Sequence, residues 1–422
     1  MSNLPKGWEK VFLKEVVQDM HQGINTVTEN IEYYDNGIDI LQAKHITSGY
    51  IDLSDPKKVS IEDYNKYKAK YQPQINHILL TNIGTIGKVL IVEENIDFLI
   101  AWNIFLIKSN QLKINPHFLF YVLKKYDIDK FYDKFLTGNA TKFINKKFMG
   151  DIEIPLPPLE EQKKIADILS TVDKKIAFVE ENINATEELK KGLMQKLLTE
   201  GIGHTEFKDS ELGRIPESWE VIPFIELADK NIKHSFTGGP FGSDLKSEHY
   251  TDIGVRVIQL QNIGDGYFIN NDFVYVSEEK AELLKSCQIY PNDIILAKMA
   301  EPVARACLIP DFESKYVMCS DGIRLKVDNS KFNTEFIFYS INYDNFRKIA
   351  VARSNGTTRL RIGLSALKSI PILIPPLEEQ KQIAEILSTV DKKLENLKEK
   401  KQSFEELKKG LMQKLLTGEV RV

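Results

Sequence analysis

A chain of 422 residues is longer than one ordinary domain and points to two or three. With 42% hydrophobic and 27% charged residues, it has the make-up of a globular protein, and no apolar run is long enough for a membrane-spanning helix. A net charge of −4, from 56 basic and 60 acidic side chains, excludes a protein that coats nucleic acid over its whole surface but permits a local basic groove.

The opening stretch, MSNLPKGWEKVFL, lacks the charged-then-apolar order of a signal peptide. After it come short β-branched runs broken by Gly, Asn and Asp: YIDL (Tyr50 to Leu53), HILLTNIGTIGKVLIVEE (from His77) and FLIAWNIFLIKS (from Phe98). PHFLFYVLKKY, from Pro116, reads as a helix. From Lys134, KFLTGNATKFINKKF carries Lys134, Lys142, Lys146 and Lys147 without an acid, among small turn-forming residues. GTIGK (Gly84 to Lys88) lacks the spacing of a phosphate loop and reads as a turn between strands.

At Pro157 the pattern changes. Pro157 and Pro158 suit a helix start, where the first amide hydrogens have no helical partner, and Glu160 and Glu161 set negative charge at the positive end of its dipole. Apolar residues then step by four and three through Ile165, Leu169, Val172, Ile176, Val179 and Ile183, and the stripe resumes at Leu189, Leu193 and Leu197. That alternation is the seam of a coiled coil, and forty-odd residues make a rod of about 60 Å.

The second half repeats this plan. GVRVIQLQNI (from Gly254), DIILAKM (from Asp293), ARACLIP (from Ala304) and GIRLKV (from Gly322) read as strands, and TEFIFYSINYD (from Thr334) as a short helix. From Phe346, FRKIAVARSNGTTRLRIGLSALK carries Arg347, Lys348, Arg353, Arg359, Arg361 and Lys368 with no acid. PPLEEQKQIAEILSTVDKK, from Pro375, then restates PPLEEQKKIADILSTVDKK, from Pro157. Residues 157–199 and 375–417 align without a gap, Gly192 and Gly410 lying 218 positions apart as Pro158 and Pro376 do. The second seam runs through Ile383, Leu387, Val390, Leu394, Leu397, Phe404, Leu407, Leu411 and Leu415.

Fainter echoes pair LPKGWEKVFLKEV with IPESWEVIPFIEL, and ILQAKHITSGYI with VIQLQNIGDGYF. The chain is thus two copies of one unit, a variable body and a preserved helix. The expected boundaries are 1–155 for the first body, 156–200 for the first helix, 201–373 for a linker and the second body, and 374–422 for the second helix and tail. The expected fold is α+β: two strand-rich bodies separated by two long antiparallel coiled-coil helices in a pseudo-two-fold repeat. The alternative is that each helix packs only on its own body.

Recurrence of the acid-free basic segments at equivalent places favours DNA contact over a solvated basic face, because arginine binds phosphates and pairs with guanine through two hydrogen bonds. The candidates are Asn139, Thr141, Lys142, Lys146 and Lys147 in the first copy and Arg353, Thr357, Arg359 and Arg361 in the second. The repeated turns add Gln42, Lys44, His45, Gln259, Gln261 and Asn262, for which hydrogen bonding inside the body is an equal alternative. The seam residues Ile165, Leu169, Val172, Leu193, Ile383, Leu387, Val390 and Leu411 are the candidates for helix pairing and subunit docking.

Catalytic signatures are missing. Cys287, Cys307 and Cys319 form no CxxC and read as free thiols of a reducing cytoplasm. Seven scattered histidines suggest no metal site, and the Glu-x-Lys of PDFESK (from Pro310) is a triplet expected by chance. The residues speak for binding and assembly. Two rivals are a protein-binding coiled-coil scaffold and an enzyme acting on DNA by itself.

Body, PPLEEQ helix with a trailing LKKGLMQKLLT, body, and the same helix again: this order resembles the specificity subunit of type I restriction-modification enzymes over the whole chain. LLTNIGTIGK is similar to a common strand-turn motif of that family, whereas ILAKMAEPVARA (from Ile295) departs from it. The resemblance implies a non-catalytic protein with two target-recognition domains, each reading one half of a split DNA site, in a complex that methylates DNA. It further implies that the helix pair sets the gap and docks two modification (methyltransferase) subunits. No cofactor is expected on this chain. S-adenosylmethionine, ATP and Mg belong to partner subunits, including restriction subunits where these are present.

Overall fold

A sheet whose strands are buried on both faces needs β-branched runs, and the first half supplies them. In the computed structural model, which describes residues 4–135, 143–299, 301–356 and 359–422, Val17–Gln22, Ile104–Ser109, Ile78–Thr81 and Val89–Ile91 form an antiparallel sheet in that order. A second sheet sets Ile38–Leu41 between Lys57–Val59 and Phe98–Ile100, the latter pair parallel. The helix Pro116–Ile128 packs its Phe118, Leu119 and Val122 into the core under the first sheet.

The second half repeats this architecture. Phe236–Gly238, Gly322–Leu325, Ile294–Ala297 and Ala306–Leu308 make the antiparallel sheet. A five-stranded sheet holds Val255–Ile258 parallel to Tyr316–Met318. The expected strands and helices are found, with one exception and several additions. YIDL forms no strand. The helices Ile61–Tyr71 and Asp344–Ala352 were not anticipated, although Ser60 accepts a hydrogen bond from the Asp63 amide at 3.0 Å as a helix cap.

The long helices are Leu159–Leu197 and Leu377–Leu415. The chain divides into two compact units, residues 1–181 with 398–422 and residues 182–397. The boundaries therefore differ from the expected ones, because each unit contains half of each long helix. In the first, Met412, Leu415 and Leu416 join Ile165 and Leu169 in the core. In the second, Leu197 and Leu198 join Ile383 and Leu387. Within the first unit Lys408 bonds Asp173 and Lys401 bonds Glu180 at 2.9 Å, so seven residues up one helix match seven down the other: the halves run antiparallel. Lys190 meets Asp391 at 2.5 Å in the second unit, the same pairing with the copies exchanged.

This explains the repeated PPLEEQ. In both copies a short strand after the Trp pairs with the strand preceding the prolines, Glu9–Phe12 with Glu153–Leu156 and Glu220–Pro223 with Pro371–Ile374, which brings helix start and indole together. The second Glu of the motif is thereby enclosed, Glu161 buried and Glu379 half-buried. Glu161 accepts from Trp8 Nε1 at 3.2 Å and from Arg421 Nε and Nη2 at 2.5 and 2.7 Å. Hydrogen bonds from Arg421 and then Trp8 hold its carboxyl below the usual range against the opposing effect of burial. Glu379 accepts from Trp219 Nε1 at 3.0 Å, His204 Nε2 at 2.8 Å and the Ile202 amide at 2.9 Å. Gln162 and Gln380 each accept from the capping Asn of the body helix, Asn115 or Asn333, at 2.8 Å. In each unit the motif clasps the tail of the other copy's helix, Arg421 in one case and Ile202 with His204 in the other.

The expected antiparallel pairing of the long helices is thus found within each unit. Ile165, Leu169, Ile383 and Leu387 are core residues, Leu411 and Leu193 pack against the same cores, and Val172 and Val390 are buried. These eight side chains are buried or pack against a core within their own unit. The alternative, that each helix packs only on its own body, does not hold, because Met412, Leu415 and Leu416 lie in the core of the first unit and Leu197 and Leu198 in that of the second.

Candidate nucleic-acid interface

In each unit one scaffold residue gathers turns expected to read DNA, three in the first and two in the second. In the first, Asn103 Oδ1 accepts from the Ala43 amide at 3.3 Å and its carbonyl from the Asn82 amide at 3.2 Å. Asn82 O in turn accepts from the Ile144 amide at 2.9 Å, and Phe143 bridges Ile83. The Gln42 turn, the GTIG turn and the basic segment at Lys146 and Lys147 are thereby joined at one end of the first sheet. Gly87 has φ +82° there, and a side chain would strike the Tyr132 ring.

The second unit repeats the links to the strand-turn segment and the basic segment around Asp321, 218 positions after Asn103. Its carbonyl accepts from the Lys298 amide at 2.7 Å, Lys298 O from the Ile362 amide at 2.9 Å, and its carboxylate from Arg361 Nη2 at 2.8 Å. Arg361 bridges both Met299 and Asn355, exchanging two backbone hydrogen bonds with Asn355. ILAKM, divergent in sequence, thus occupies the place of LLTNI. Ala304, at φ +61°, takes the part of Gly87.

Two candidates are corrected. His45 and Asn262 are buried, and each closes its own turn: His45 Nδ1 accepts from the Gln42 amide at 2.9 Å and Asn262 Oδ1 from the Gln259 amide at 2.9 Å. Asn262 Nδ2 is further committed to the carbonyls of Ile269 and Asn271. Neither can face a base. Lys44, Lys146, Lys147, Gln261, Arg353, Arg359 and Arg361 are exposed, while Gln42 and Gln259 are half-buried. Lys44 is paired with Asp55 at 2.5 Å and Arg353 donates to Ser369 Oγ at 2.8 Å. Asn139, Thr141, Lys142 and Thr357 lie outside the described residues.

Sequence reasoning missed Asn103, Asp321 and the half-exposed Trp102, whose carbonyl accepts from Gln22 Nε2 at 3.1 Å. The constant offset relating Asn103 to Asp321 was the available signal. It is weak because the two residues differ in type.

Two units of one plan, each presenting a different set of polar turns, define a duplicated recognition scaffold. A family model described as "Type I restriction modification DNA specificity domain" matches residues 5–188 and 244–406. A Methanocaldococcus jannaschii chain assigned as specificity subunit of the MjaX type I restriction enzyme is 32% identical, covering 100% of this chain and 96% of its own length. The type I restriction enzyme MjaVIII specificity subunit of the same organism is 31% identical over 80% of this chain and 81% of that relative. The solved S subunit of a type I restriction-modification system from M. genitalium has a TM-score of 0.61 at 17% identity, over 98% of this chain and 97% of that one. The chain belongs to the family of type I restriction-modification specificity subunits. It is therefore a recognition subunit and not a catalytic one.

Proposed function

We propose that each unit reads one half of a bipartite DNA site through the turns gathered at Asn103 and Asp321. The observation that carries this reading is the contrast between preserved and divergent parts. The closure at Glu161 and Glu379 is nearly the same in both units, whereas the turns exchange Asn82 for Lys298, Asn103 for Asp321 and Phe143 for Arg361. Equal frames with unequal reading groups suit two different half-sites. Arg359→Ala is expected to weaken cognate binding by about 1–3 kcal/mol and relax one base position, measured by gel shift on a randomised duplex pool. An equal loss on all sequences with a shallower salt dependence would assign Arg359 to phosphate instead.

The same reading gives the helices the spacing role. Four residues inserted within 176–186 add about 6 Å of helix. At about 3.4 Å per base pair, that should lengthen the unread gap by one or two base pairs in the methylated motif. Methylome sequencing reads this directly, and an unchanged gap contradicts the role.

Two modification (methyltransferase) subunits would dock on the outward helix faces, which Leu189 and Leu407, 218 positions apart and both about half exposed, mark equivalently. S-adenosylmethionine would be bound by those subunits, and ATP and Mg by restriction subunits where present. No helix among the described residues is long and apolar enough to cross a membrane.

A further inference from the structure

The internal repeat lets each unit serve as the comparison structure for the other, and one position breaks the correspondence. The turn QINH (Gln74 to His77) matches YPND (Tyr290 to Asp293) bond for bond. His77 N donates to Gln74 O at 2.9 Å and Asp293 N to Tyr290 O at 3.0 Å, while Asn76 and Asn292 both have positive φ, +69° and +64°. The fourth side chain of each turn also accepts from the first amide: His77 Nδ1 from Gln74 at 3.0 Å, Asp293 Oδ2 from Tyr290 at 3.1 Å.

The register pairs Ile78 with Ile107 and Ile294 with Leu325, so Lys108 corresponds to Lys326, Ser109 to Val327 and Leu106 to Arg324. In the second unit the Asp293 carboxylate satisfies the cations, with Arg324 Nε at 2.7 Å and Lys326 Nζ at 3.4 Å. In the first unit the lysine remains and the carboxylate is gone. Among the described residues Lys108 has no ion-pair partner. Its cross-strand neighbour Asp19 is turned to His21 Nδ1 at 2.9 Å.

Where the carboxylate is missing there is an open cleft of about 530 Å³. Gln18, Gln74, Asn76, His77, Lys108 and Ser109 help to line it, and none of its lining residues is an Asp or Glu. Ser109, nine-tenths buried, leaves its Oγ without a hydrogen-bond partner. Because Nδ1 of His77 accepts, the neutral ring carries its hydrogen on Nε2 and is a donor there. Burial, with the nearby charges of Lys108 and His21, keeps that imidazole below its ordinary range. A lysine and a ring N–H line a cleft without a carboxylate, while the Ser109 hydroxyl, on the opposite face of the strand, is closed off from it. The cleft lies at the Ser109 end of the strand Ile104–Ser109, about 20 Å from the recognition turns at its other end.

We propose that this cleft binds a phosphate-class oxyanion, which takes the place held by the Asp293 carboxylate in the second unit. The oxyanion could arrive free or on a nucleic-acid backbone, and the chemistry is the same in either case.

The test is calorimetric titration of the full chain with inorganic phosphate in a chloride buffer, beside His77→Asp and Ser109→Val. Both substitutions install what the second unit already accommodates at the equivalent position. Wild type should bind one phosphate saturably and melt at a higher temperature with it. His77→Asp, which supplies the anion internally, should raise the phosphate Kd by at least about tenfold, whereas Ser109→Val, on the opposite face of the strand, should leave it unchanged. Lys108→Gln, at a half-buried position, checks the result should His77→Asp fold poorly, with the same loss expected. Competition by a random-sequence duplex assigns the oxyanion to a DNA backbone, and its absence assigns it to a free anion. No saturable phosphate binding by wild type, or binding undiminished in folded His77→Asp and Lys108→Gln, overturns the proposal.

Discussion

Ending the chain after Leu397 should unfold its first unit and spare its second. The segment removed, 398–422, belongs to the first unit although it is the most distant in sequence. It contributes Met412, Leu415 and Leu416, all nearly fully buried beside Ile165 and Leu169. At about 1.5–3 kcal/mol for each such side chain, their loss costs roughly 5–9 kcal/mol. A domain has only about 5–15 kcal/mol in total. The truncation also takes Arg421 from Glu161 and Lys408 from Asp173, leaving two carboxylates without their cations. Tyr121, whose hydroxyl donates to Asp173 at 2.8 Å, loses the cation that shares that carboxylate. Hydrogen exchange should show protection lost from peptides before residue 181 and kept between 182 and 397. Uniform loss, or none, would contradict the exchange of helix halves.

Asp293→Ala should destabilise the second unit by about 3–5 kcal/mol, as expected when one partner of a buried ion pair is removed. Arg324, only 5% exposed, would keep Gln288 O as an acceptor at 3.3 Å, and Lys326 would lose its partner. Adding Arg324→Leu to Asp293→His should recover much of that loss, because the first unit already runs this position with Leu106 and His77. The measurement is the urea dependence of exchange in peptides spanning 288–327. If the single variant proves as stable as wild type, the buried carboxylate is not what holds this corner. Equal damage in single and double variants would mean that the two units are not interchangeable here.

Several features were legible before any coordinates. Steps of four and three from Ile165 to Leu197 read as one helix, and Leu159–Leu197 is one. Runs such as FLIAWNIFLIKS resolved into strands because β-branched residues suit a pleated, buried surface. YIDL failed on the same criterion, since four residues of suitable type find no neighbouring strand to pair with. Polar residues were the hardest to place. A side chain that caps its own turn and one that reaches for a base are drawn from the same few types, so Gln261 and Asn262 could not be told apart by composition, although one is exposed and the other buried.

The sequence by itself determined the duplication, the two long helices, the α+β bodies and the family, because periodicity and repetition are properties of a single strand of text. Only the tertiary structure decided that each unit is closed by the other copy's helix, that Glu161 and Glu379 are clasps as well as dipole partners, and that Lys108 lacks the anion Lys326 has. The physical reason is that a hydrophobic stripe specifies that a face must be buried but not what buries it. A charge likewise shows the need for a partner, and only the fold brings that partner within reach.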